Sequence, residues 1–87
     1  MTRTLLMWKT AKPPHELYEL VREASTILFM AEANAPRVQP TAIDHVVVWN
    51  EPKVEVDHRT LLWPTDANLV RLLLQPDDSR RLNPTGV

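Results

Sequence analysis

Eight prolines and one glycine set the limits on where regular structure can run in this chain. Proline has no N–H to give to a helix or a ladder, and its φ is fixed, so each one marks an element end, a sheet edge or a turn. Pro13 and Pro14 stop an opening strand, Pro36 and Pro40 fall in a connecting loop, and Pro52 sits in a turn. Pro64 stops a second apolar stretch, Pro76 ends a helix because the residue before a proline is pushed out of the α region, and Pro84 lies in the tail. The sole glycine, Gly86, is also in the tail. Every turn must then be built from Pro, Asn, Asp and Ser, without the easy positive φ that glycine provides, and glycine-rich phosphate loops are excluded.

Between these markers the apolar pattern predicts the elements. Thr2 to Lys9 alternates loosely and reads as a strand that is apolar on both faces in its middle. Leu17, Leu20, Val21, Ala24, Ile27, Leu28 and Ala31 then fall at i, i+3, i+4, i+7, i+10, i+11 and i+14, one stripe of an α-helix. The spacing predicts a helix from near Pro14 to about Ala33, roughly 20 residues and ~30 Å long. Ile27 to Ala31 are consecutive apolar residues and cannot all face one sheet, so Phe29 and Met30 leave the stripe and need another cover. Asn34 to Ala42 has two prolines and no period, and reads as a loop. Strands are expected at Ile43 to Trp49 and Val54 to Trp63, joined by Asn50-Glu51-Pro52-Lys53. Thr65 or Asp66 is the expected N-cap of a short helix through Leu69, Val70, Leu72 and Leu73. The expected organisation is a single domain over 1–76 with a polar tail over 77–87.

The hairpin carries two Asp-His dipeptides, and its register decides what they do. A four-residue connection sets Trp49 opposite Val54, Val47 opposite Val56 and His45 opposite His58, giving one cleanly apolar face. A three-residue connection would set Glu55 and Asp57 against the ladder that should be buried. The first register predicts two facing imidazoles, close enough to share a metal if His15 or a carboxylate supplied a third ligand. The segment around His15, "HELYE", has Glu19 where a zincin motif has its second histidine, so that motif is incomplete. His45, His58 and His15 are therefore metal candidates, against the plainer reading that they cap the wet end of a half-buried face. Asp44 and Arg59 are expected to form an exposed bridge on the outer side of the same hairpin.

Composition narrows the function classes. Ten Lys and Arg against eleven Asp and Glu give a formal net charge of -1, which supplies no basic field for nucleic acid. The absence of cysteine excludes disulfides and thiolate metal sites, and fits a reducing compartment. The apolar run Leu5 to Trp8 is too short for a signal-peptide core or a membrane span, so a cytoplasmic protein is expected, with no membrane partner.

The element order strand, helix, strand, strand, helix predicts an α+β fold, a three-stranded mixed sheet with two helices on one face. It resembles a ferredoxin-like sandwich lacking its last strand, a resemblance of element order that carries no motif and implies no activity. Such a fold leaves apolar surface uncovered, at the outer strand positions Val46, Val48, Leu61 and Trp63 and at Phe29 and Met30. Those residues are the expected partner-binding set. The expected function is a small non-enzymatic interaction protein, an inhibitor, an immunity or antitoxin-type partner or an accessory subunit, binding another protein or itself as a homodimer, with no cofactor. A nucleic-acid-binding regulator and a metal-dependent enzyme using His45 and His58 are the alternatives. Ser25 is the only serine outside the tail, and nothing in the sequence sets a base beside it.

Overall fold

The computed structural model describes residues 2–33 and 42–75. Along the chain run β1 (Arg3–Trp8), α1 (His15–Ala24), β2 (Ile27–Glu32), β3 (His45–Asn50), β4 (Lys53–Val56), β5 (Arg59–Leu62) and α2 (Ala67–Leu73). The class is α+β as expected, but the sheet has five strands, in the order β2-β1-β3-β4-β5, where three were expected. β1 is parallel to both β2 and β3, whereas β3-β4 and β4-β5 are antiparallel. No helix among the described residues is long and apolar enough to cross a membrane.

Both extra strands come from segments whose local pattern misled. The stripe expected to run to Ala33 ends at Ala24, where Ser25 takes an extended conformation and donates its N–H to Arg22. Ile27 to Ala31, which could not all face one side of a helix, instead form β2 beside β1. Successive residues of a strand point to opposite faces, so the run sends Leu28 and Met30 to the helix side and Ile27, Phe29 and Ala31 to the other. The second addition arises at Asp57 and His58. Both have positive φ, 50° and 76°, which folds the expected single strand Val54 to Trp63 into the hairpin β4-β5. Positive φ at both central residues is the mark of a type I′ turn, and Asp is among the side chains that tolerate it.

The remaining expectations fall closer. The β3-β4 register pairs Val47 with Val56, Val48 with Glu55 and Trp49 with Val54, as the four-residue connection required. Pro14 stands at the N-cap of α1, so the helix starts where it was expected to. Asp66 stands at the N-cap of α2 but makes no side-chain cap bond there, because its carboxylate accepts the Leu62 N–H at 2.9 Å. Asp44 does not bridge to Arg59: its carboxylate accepts the Arg3 N–H at 2.8 Å, and Arg59 lies one strand further on, opposite Val56. The expected loop at 34–42 falls almost wholly outside the described residues, as does the tail from Asp77 onward.

The core lies on one face of the sheet. Leu6 and Trp8 of β1, Val47 and Trp49 of β3, and Val54 and Val56 of β4 meet Leu17, Leu20 and Val21 of α1 and Val70 and Leu74 beyond it. Both helices thus cover the same side, with Leu28, Leu61 and Trp63 packed around the cluster. Thr4 is the one buried polar residue among those described, and its hydroxyl hydrogen-bonds the Ser25 hydroxyl at the end of α1. That bond satisfies a group whose burial would otherwise be costly.

Candidate interaction surface

The facing pair of histidines does not form. Because the chain turns at Asp57, the β3-β4 ladder stops at Val47 and Val56, and His58 occupies the turn, exposed. Asp57 takes the place across from His45 that His58 was expected to fill. Its N–H donates to the Val46 carbonyl at 2.9 Å, its Oδ1 accepts the Val46 N–H at 2.9 Å, and its Oδ2 lies 2.7 Å from His45 Nδ1. An ionised carboxylate only accepts, so Nδ1 donates and the imidazole is held as a clip over the turn. His15 is elsewhere, on the exposed side of α1, with Nε2 3.7 Å from Glu19 Oε2 and its ring 6.4 Å from that of Tyr18. Among the described residues no three His, Asp or Glu side chains gather in a metal-binding group.

What the described residues do present is a sheet face that neither helix covers, bare among those residues. The register that points Thr4, Leu6 and Trp8 at the helices points Arg3, Leu5 and Met7 the other way. On that side Phe29, Leu5 and Val46 form one row across β2, β1 and β3, and Ala31, Met7 and Val48 form the next, with Ile27 beside Arg3. The seven apolar side chains are each half-buried, and both described helices lie on the opposite side of the sheet. Three strands ~4.8 Å apart and six residues at ~3.3 Å each make a panel of roughly 300 Å², in the range of the largest patches on soluble monomers, which are often functional. The panel has a polar border. In β4 and β5 the same face continues as Glu55, Thr60 and Lys53, with Leu62, 45% exposed, at its far corner.

The residues expected to bind a partner are divided by this geometry. Phe29, Val46 and Val48 stand on the bare face. Met30 is on the helix side of β2, opposite Leu6, yet 44% exposed at the edge of the sheet. Leu61 and Trp63 do not lie on the outer face: Leu61 pairs with the buried Val54, and both pack against the core. Sequence reasoning missed Leu5, Met7, Ile27 and Ala31. Their signal was present, in a first strand apolar on both faces and an apolar run too long for one helix face, but without β2 next to β1 there was no panel for them to join.

A second feature lies at the carboxyl ends of β1 and β3. The strand order reverses beside β1, and such switch points are where open α/β sheets form a crevice. A cleft of about 380 Å³ opens there between Lys12, Pro14 and Glu16 on one side and Trp49, Glu51, Pro52, Trp63 and Pro64 on the other. A neighbouring cleft of about 450 Å³ continues along α1 past Glu19 and Glu23 to Arg71. Indole and proline rings give the first cleft apolar walls, and its rim carries both signs of charge. Comparison with family models, with curated proteins and with solved structures finds no match.

Proposed function

We propose that this domain acts by binding another protein through the bare face of its sheet, as an inhibitor, an immunity or antitoxin-type partner or an accessory subunit, and performs no catalysis itself. The supporting observation is the apolar panel of Leu5, Met7, Ile27, Phe29, Ala31, Val46 and Val48 opposite the helical layer. An apolar centre with a polar border is the anatomy of a protein interface, and an aromatic side chain in its middle row suits an energetic anchor. Among the described residues the face carries Arg3, Lys53 and Glu55 at its margins and no basic stripe, which favours a protein over a nucleic acid. The test is capture of partners from the native host by the tagged wild type and by a Val48→Asp variant whose circular dichroism confirms folding. A stoichiometric companion held by the wild type and lost by the variant supports the reading. The same companion retained by the variant refutes it.

A further inference from the structure

We infer that β2 is a dimerisation edge, on which two copies of this chain pair antiparallel across a two-fold axis passing between their Phe29 residues. The two outer edges of the sheet differ in how they are finished. At β5 the backbone of Leu62 faces outward and is sealed from within, its N–H by the Asp66 carboxylate at 2.9 Å and its carbonyl by the Asp66 N–H at 2.8 Å. Among the described residues β2 has no such seal. Ile27 and Ala33 donate their N–H groups to Thr2 and Trp8, so the alternation of a strand directs residues 27, 29 and 31 toward β1. Leu28, Met30 and Glu32 then direct N–H and C=O outward, and no described residue pairs with them. Natural edges are blunted by Pro, Lys, bulges or covering elements. "ILFMA" has none of the first three, and Met30, on the helix side yet 44% exposed, shows that α1 does not overhang the strand.

The same alternation selects both the partner and the register. Continuing the sheet with a second β2 keeps both helical layers on one side, so opposed residues must share a face, and hydrogen-bonded pairs must come from Leu28, Met30 and Glu32. Centring the pair on Phe29 meets both conditions. Leu28 then exchanges bonds with Met30 of the second copy on either side of the axis, Ile27 stands opposite Ala31, and Glu32 stands opposite Thr26. Centring on Met30 would set each Glu32 carboxylate against a leucine. The Phe29 register is thus apolar against apolar along the shared stretch, sets no like charges together, and joins the two bare faces into one continuous panel.

The chain contains no cysteine, so one introduced thiol reports the register directly. Phe29 meets its own copy in a non-hydrogen-bonded pair with Cα atoms about 4.5 Å apart, within disulfide reach. Under mild oxidation Phe29→Cys should form a disulfide dimer, while Leu28→Cys, offset from its own copy by two residues, should not. By sedimentation the wild type should have twice the 10.0 kDa chain mass. Met30→Pro removes an outward N–H while leaving the β1 ladder intact, and should halve that mass with the secondary structure retained. Met30→Lys, a milder edge block, should weaken association at least tenfold if the proline variant fails to fold. A wild type monomeric at NMR concentrations, a dimer unmoved by the edge variants, or crosslinking at Leu28→Cys in place of Phe29→Cys would overturn the assignment. Failure here leaves the face-binding reading standing, since Val48→Asp alters the panel and not the edge, and Met30→Pro alters the edge and not the panel.

Discussion

Replacing Asp57 with alanine should cost this small domain about 2 to 3 kcal/mol, because one side chain performs three separable tasks at the β4-β5 turn. It accepts the Val46 N–H at 2.9 Å, lies 2.7 Å from His45 Nδ1, and holds a backbone φ of 50°. A hydrogen bond to a charged acceptor contributes about 1.5 to 3 kcal/mol in general, and water can replace part of that at a carboxylate 43% exposed, leaving about 1 to 1.5. His45, with a side chain only 12% exposed, loses its partner in a place where water reaches it poorly, for a further fraction of a kcal/mol. The left-handed conformation adds about 1 kcal/mol for a Cβ-bearing residue without a local polar group. Two further variants separate these contributions. Asp57→Gly removes the conformational cost and should lose only about 1 to 2 kcal/mol, while Asp57→Asn keeps an acceptor and a tolerated left-handed residue and should lose less than about 1. Urea unfolding followed by the fluorescence of the three tryptophans reads all of them, and the alanine variant should melt about 10 °C or more below the wild type. If alanine and glycine were equally harmful, or alanine fell within about 0.5 kcal/mol of wild type, the turn would not depend on Asp57 in this way.

Other consequences follow from burial and pairing. Leu17 is fully buried among the helix and sheet residues, so Leu17→Ala should destabilise by about 2 to 5 kcal/mol in the same urea assay, whereas Leu72→Ala, at a residue 50% exposed, should stay within about 0.5. Thr4→Val orphans one end of the Thr4–Ser25 hydroxyl pair, and the Thr4→Val/Ser25→Ala double variant should recover part of that loss, so the double-mutant cycle should be non-additive. Asp66→Ala unseals Leu62 and should cost about 1 kcal/mol; no change in hydrogen-exchange protection at the Leu62 amide would contradict the seal.

The sequence by itself determined what short-range chemistry controls. The prolines bounded β1, the start of α1 and both ends of α2 to within a few residues, and the cleanly apolar register fixed Val47 against Val56 and Trp49 against Val54. A slip of one residue would turn every valine of that hairpin to the wrong side, so the pattern alone is decisive there. Only the tertiary structure decided the fate of Ile27 to Glu32. Leu28 and Ala31 fall on the α1 stripe as well as they fall on a strand, and local spacing cannot register that β1 offers a parallel ladder to pair with. The turn at Asp57 and His58 was hidden for a related reason. Neither residue is a glycine, and their positive φ is held by bonds from Asp57 to His45 and Val46 on another strand. Those two long-range events account for both missing strands, for the separation of His45 from His58, and for the panel of apolar side chains on the bare face: residues distant in sequence share a face only once the ladder that aligns them has formed.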